Sequence, residues 1–505
     1  MATSNFYDLI VLGSDLAGLV AAALVARRGK RVLVLPTTPI DGVDTGAPEP
    51  VVADPTPILC GEAPLFRRIF DELGVWQQIR RERQPIAGRL HLAFPGHRLD
   101  LTGGLANLDG ELEREWPGAR APAAWAAHQR LAAACDGAWD EILGGDQPTT
   151  GDGLWERRTA AKIAAQLPGA GVDDLAPLPV DHPLRIGARA MLPWLTHLAP
   201  GQIGPAAALH LAAQWERGPD DLIGGVPRLR AVLLERLQTH AGEVKGGLRV
   251  AELIAQRGRI SGLAFFGKRD HYGCENLILA DDPALLLGDL GPVDALRQAL
   301  GIPLTDGRPV ARRYVLTLEV DVAGLSPALD GVVIHLPAAT AAAWLEGHGV
   351  GTSYIRVDPT IVSDAQRVVI THIVADGEAP IDLRERLLDH LDRANVLPFL
   401  APHLRWSYSP HDGRGALDAR MRPLGEAPPD LRPAAMDPLY ANTAGPPPLG
   451  VALLPHTTDL RNLFLASRSV LPGLGVEGEL ATALTVAGAI AAPGRARGRP
   501  LYLGR

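Results

Sequence analysis

The chain has 505 residues, 47% apolar and 21% charged, which is ordinary globular usage and excludes a disordered or fibrous protein. Its 49 Lys and Arg against 57 Asp and Glu leave a net charge of −8, so a nucleic-acid partner is not expected and general attraction to anionic lipid is excluded. The three cysteines, Cys60, Cys135 and Cys274, suit neither a disulfide framework nor a metal cluster, and a reducing cytoplasm is the expected setting.

This length exceeds one ordinary core, so two domains are expected, interleaved in sequence. Met1–Asp8 lacks the basic-then-apolar order of a signal peptide. No apolar run reaches the roughly 18 to 20 residues of a membrane span; the nearest is Ala481–Ala492. Peripheral membrane contact and oligomer formation stay open.

Tyr7–Leu12 is apolar apart from Asp8, and the turn Gly13-Ser14-Asp15-Leu16-Ala17-Gly18 follows it. The Ala- and Leu-rich Leu19–Arg28 and then Arg31–Leu35 complete a strand–turn–helix–strand unit, whose unalternating apolar strands suit a parallel sheet covered on both faces. Residues from Thr37 to Pro64 read as loop and Leu65–Arg83 as helix. Residues 111–215 show helical spacing, with Trp116, Trp125, Trp139, Trp155, Trp194 and Trp215 expected mainly in core positions.

Gly224-Gly225 precedes a helix at Arg228–Thr239, and strands are expected at Leu248–Ile254, Gly258–Phe266 and Asn276–Ala280. Alternating segments at Arg313–Val322, Gly331–Leu336, Ser353–Val357 and Arg367–Val374, with a helix at Asp382–Arg393, predict an antiparallel sheet in a second domain. Arg422–Pro455 is a Pro- and Gly-rich connector. The strand Asn462–Ala466, the turn Pro472-Gly473-Leu474-Gly475 and the helix Gly478–Ala489 end the pattern.

The opening turn, the middle segment Gly224-Gly225, Val250, Gly258-Arg259-Ile260 and Ala280-Asp281-Asp282-Pro283, and the ending Asn462–Ala466 with Leu471–Gly478 occur in one family's order. On these residues the chain resembles the phytoene desaturase-like branch of FAD-dependent oxidoreductases, in the wider amine oxidase-like group. The resemblance covers about the first 36 residues, residues 222–290 and residues 455–492. It implies an α/β chain: a two-domain FAD/NAD(P)-binding Rossmann-like fold with a second α+β substrate domain carrying an antiparallel sheet. Residues 1–100, 220–300 and 455–492 would form the discontinuous nucleotide-binding domain. Residues 101–219 and 301–454 would form the substrate domain with a helical insertion.

The resemblance also implies FAD contacts from Gly13, Ser14, Asp15, Leu16, Ala17, Gly18, Val250, Arg468, Gly473, Gly475 and Glu477. Three positions depart from the pattern. Asp15 stands where the second fingerprint glycine lets backbone approach the pyrophosphate. The second strand ends Leu35-Pro36 without the acid that holds the ribose, and Ser467-Arg468 replaces the Gly-Asp that contacts the flavin side chain. Either Arg468 pairs with phosphate while Asp15 turns away or caps the helix, or the two pair with each other and fill the site. Glu477 either caps the last helix or touches the flavin region.

Ser14 lacks a nucleophile elbow, and His182, His197, His210 and His411 form no metal pattern, so neither hydrolysis nor a metal is expected. Two functions follow. One is a flavin-dependent oxidoreductase acting on an apolar, isoprenoid-like small molecule, the chemistry being the flavin's, so that no catalytic residue is named. The other is a non-catalytic binding protein that keeps the scaffold, as the Rab GDP-dissociation inhibitors do.

Overall fold

The computed structural model describes residues 5–36, 63–85, 90–100, 108–144, 154–169, 174–216, 220–267, 271–281, 286, 298, 300, 307–326, 329, 331–337, 341–425, 433–442 and 448–491. In chain order the first part holds β1 (Phe6–Gly13), α1 (Leu16–Arg27), β2 (Val32–Leu35), α2 (Pro64–Leu73), α3 (Trp76–Glu82), β3 (Arg83–Pro85), β4 (Leu90–Phe94) and β5 (His97–Asp100). The helices α4 (Leu108–Glu115), α5 (Pro122–Gly144), α6 (Leu154–Gln166), α7 (Pro183–Gly187), α8 (Leu192–Leu195) and α9 (Pro205–Glu216) follow. Next come β6 (Asp220–Leu222), α10 (Gly225–Thr239), β7 (Glu243–Val244), β8 (Val250–Gln256), β9 (Arg259–Phe265) and β10 (His271–Ala280). The last part holds β11 (Gly307–Asp321), β12 (Val332–His335), α11 (Ala341–Glu346), β13 (Ser353–Val362), β14 (Ala365–Ala375), α12 (Leu383–Arg393), α13 (Leu400–His403), β15 (Leu404–Tyr408), β16 (Asp437–Asn442), β17 (Leu463–Leu465) and α14 (Gly475–Ile490).

The first sheet runs β7-β2-β1-β10-β9-β8, with β17 also on β10. β1 pairs in parallel with both β2 and β10, and β10 pairs in parallel with β17, so three segments hundreds of residues apart build one nucleotide-type domain. Leu9–Leu12 and Val32–Leu35 are buried, as strands covered on both faces must be. Helix α1 is buried from Leu16 to Ala26, which is why its sequence has no polar stripe. The expected helix over Leu65–Arg83 is two helices, because Gly74 takes a left-handed conformation (φ 72°) that ends α2.

The second sheet runs β15-β11-β14-β13-β12-β4-β5, with β16 on β11, and its β11, β14 and β13 are antiparallel as expected. β4 joins it in parallel through β12, so strand pairing puts Leu90–Asp100 in the second sheet rather than with the residues that precede them. One large apolar core joins the first sheet, the helical insertion and one face of the second sheet through Leu92, Val332, Ile334, Tyr354 and Ile373, while the opposite face of the second sheet has a separate core under α12. Among the described residues no helix is long and apolar enough to cross a membrane. Asp282-Pro283, Gly445-Pro446-Pro447 and most of the 37–64 loop lie outside the described residues.

Gly18 shows what the fold demands apart from any ligand. A Cβ there would come within 2.1 Å of the Ala280 Cβ and 3.2 Å of a Val11 methyl, both in the central strands. Gly18→Ala is therefore expected to destabilise the protein by about 1–3 kcal/mol through overpacking. Chemical denaturation measures it, and an unchanged midpoint would refute the packing role.

Candidate functional site

The site expected from the sequence is the start of α1, where free backbone N–H groups and the helix dipole favour an anion. Gly13 makes the turn there, with φ at 114°, and the Asp15 N–H donates to the Ala280 carbonyl at 2.8 Å. The chain's own carboxylates take the neighbouring amides. Ser14 N–H donates to Asp281 Oδ2 at 3.1 Å, and Ala17 N–H donates to Glu479 Oε2 at 3.2 Å. Glu479 is the fifth residue of α14 and is 6% exposed, so a buried carboxylate from another helix occupies the position of a ligand oxygen.

Asp15 is the N-terminal cap residue of α1, yet its side chain caps no helix N–H, which corrects the simple capping role. Instead Arg468 donates to Asp15 Oδ1 from Nε at 3.0 Å and from Nη2 at 2.7 Å. The Arg468 backbone N–H donates to Asp15 Oδ2 at 3.1 Å, so both carboxylate oxygens are engaged. Burial of Asp15 opposes its charge, but the Arg468 cation and its hydrogen bonds overcome that and hold the carboxyl below its ordinary range. Arg468 Nη1 donates to Asp437 Oδ1 at 2.7 Å, and Asp437 opens β16 of the second sheet. One guanidinium thus bridges two domains.

The network continues along the domain boundary. Glu479 Oε1 lies 3.6 Å from His197 Nε2, and His197 Nδ1 lies 3.4 Å from Arg313 Nη1. Arg313, on β11, also donates to the Pro193 carbonyl at 3.0 and 2.7 Å and to the Thr196 carbonyl.

Glu477 belongs to a second buried group, and it neither caps α14 nor meets Asp15. His210 Nε2 is 2.7 Å and Gln214 Nε2 2.8 Å from Glu477 Oε2, while His210 Nδ1 is 2.9 Å from Asp136 Oδ1. Burial works against a charged His210, but the Glu477 and Asp136 carboxylates prevail and push it up to about 9. This imidazolium ties α5 and α9 of the insertion to α14.

The other expected residues have packing roles. Leu16 and Ala17 are buried in α1. A Cβ on Gly473 would meet Val451 Cα at 2.6 Å, and one on Gly475 would meet the Leu195 carbonyl oxygen at 1.9 Å, so the closing turn needs glycine for close approach. Val250 begins β8, an edge strand separated from β1 by β9 and β10. Pro36 is buried directly after β2. Glu479 and Asp437 were not found from the sequence; the acid in the first turn of the last helix is Glu477, and nothing local set Glu479 apart.

The two sheets and their order define the class: this is the Rossmann-like fold of the FAD-dependent oxidoreductases. An oxidoreductase from Methanosarcina mazei is similar at 12% identity, with 95% of this chain and 99% of that chain covered and a TM-score of 0.52. RAB GDI from Plasmodium falciparum is similar at 10% identity, covering 96% and 98%, with a TM-score of 0.50. Cyclohexylamine oxidase from Brevibacterium oxydans reaches 14% identity over 96% and 98% of the chains, with a TM-score of 0.49. No family profile and no curated protein matches the sequence. At such identities the likeness establishes the fold.

The residues present do not fit the pyrophosphate of FAD. The Ser14 and Ala17 amides that would hold it already serve carboxylates, and Asp15 places a third negative charge there. A dianion added to that group at low dielectric would meet repulsion, with Arg468 already committed to two acids.

His210 gives a pH test. Its pKa rises on folding from 6.5 to about 9, so its stabilising contribution is complete below pH 6.5 and is lost as pH rises through about 9. Unfolding free energy should therefore fall between pH 7 and pH 10, and His210→Gln should flatten that part of the profile. Identical slopes in the two proteins would rule out the charged imidazole.

Proposed function

We propose that this chain is a non-catalytic binding protein on the flavoprotein scaffold, with its cofactor site filled by its own side chains. One observation carries the reading: the direct Asp15–Arg468 pair at 2.7 Å, which occupies the start of α1. The Glu479 carboxylate on the Ala17 amide supports it, because it supplies from within the chain the negative charge that this helix terminus favours. The absence of a ribose-holding acid at Leu35-Pro36 agrees with it.

The second reading is a flavin-dependent oxidoreductase acting on an apolar, isoprenoid-like molecule. It is favoured by the retention of the whole strand–turn–helix unit, with Gly13 and Gly18 in their fingerprint positions. FAD would then have to displace Glu479 and separate Asp15 from Arg468. The bound flavin would supply hydride transfer, and this chain's residues would only position and shield the substrate.

The two readings differ in colour. Purified protein is expected to show no absorbance near 450 nm and no gain in melting temperature with added FAD, since a ligand that binds the folded state must raise its stability. The variant Asp15→Gly, Arg468→Asp, Glu479→Ala should gain a thermal shift with FAD. Yellow wild-type protein that releases FAD on denaturation would overturn the proposal.

A further inference from the structure

The second domain carries a polar row with no part in the site above. His335 of β12 faces Ser353 of β13, Ser353 faces His372 of β14, and His372 faces Tyr314 of β11, so four side chains cross adjacent strands on one face. Helix α12 covers this face through Leu383, Leu387, Leu388 and Leu391, which share a core with Val333, Ile355 and Ile370. Its His390 ring lies 5.1 Å from the His335 ring and 6.4 Å from the His372 ring.

Three imidazoles are thus gathered between a helix and a sheet. His335 is 4% exposed, and His335 Nδ1 and His390 Nε2 are buried without a hydrogen-bond partner. His372 Nδ1 is 2.8 Å from the Ser353 hydroxyl. The groups facing the cluster give a proton little support. Arg386 and Arg393 of α12 are cations, Tyr314 of β11 is neutral, and the carboxylates around them are already paired: Asp389 is exposed and bonded to Arg393, Glu378 is bonded to Arg386, and Asp412, beside Tyr314, is bonded to Arg384. Protonating any one ring would place a cation among neutral rings and arginines under the helix.

We propose that this histidine cluster is an acid-sensitive latch, which holds α12 on the second sheet when its rings are neutral and releases the helix when they are protonated. Burial pushes His335 down to about 4, with the His390 ring adding to the shift. Burial together with His390, His335 and Arg386 lowers His372, and burial with Arg393 lowers His390 against a smaller opposing pull from Asp389. The protons therefore bind better when α12 is away. The latch is fully closed above the ordinary histidine value of 6.5 and weakens as pH falls from there toward 4.

Between pH 7 and pH 5 one such histidine favours the open form by roughly 20-fold. Hydrogen exchange of the full chain, corrected for the intrinsic effect of pH, should show the α12 amides losing at least tenfold protection over that interval while α1 keeps its own. His390→Leu, which keeps an apolar filler without a titrating ring, should remove most of the loss, and His335→Leu serves if the first variant does not fold. Unchanged α12 protection in the wild type at pH 5, or an equal loss in the folded variant, would overturn the proposal.

Discussion

The Asp15 carboxylate, 1% exposed at the start of the first helix, must have a cation, and Arg468 provides it. A buried charge without its partner costs about 3–5 kcal/mol, so each residue compels the other. Around this pair the chain arranges the rest of the domain boundary: Glu479 on the helix amides, Asp437 on the far side of the guanidinium, and His197 with Arg313 behind Glu479. The pair joins the beginning and the end of the sequence in one domain and reaches into the other.

Packing constraints and ligand constraints separate clearly here. Gly13, Gly18, Gly473 and Gly475 remain because a turn or a close backbone approach requires them whether or not a nucleotide is present. The positions that would touch only a ligand have changed: the second fingerprint glycine is Asp15, the strand-end acid is Pro36, and the acid beyond the last strand is Arg468. A scaffold can thus persist after the contacts that define its usual chemistry have altered, and fold alone does not fix function.

Much of the architecture was legible because it is local. The unbroken apolar strands Leu9–Leu12 and Val32–Leu35 specify a doubly covered sheet, and the alternation in Arg313–Val322 specifies a strand with one apolar face, whereas its other face, expected to be open, is covered as well at Arg313 and Thr317. The Asp15–Arg468 pair could also be anticipated, since motif order alone places the two loops together. Glu479, Asp437 and the Asp136–His210–Glu477 group could not, because their partners lie on helices and strands whose packing has no sequence signature. The pairing of β4 with β12 was hidden for the same reason, a parallel contact between segments more than 200 residues apart.

A double-mutant cycle on Asp15→Ala and Arg468→Ala, read by chemical denaturation, tests the self-filled site most directly. Residues that fill the site by binding each other should show a coupling energy of about 1–3 kcal/mol, the double variant losing much less than the sum of the single ones. Additive losses, within about 0.5 kcal/mol, would contradict the account by showing that the two side chains act independently at the start of the helix.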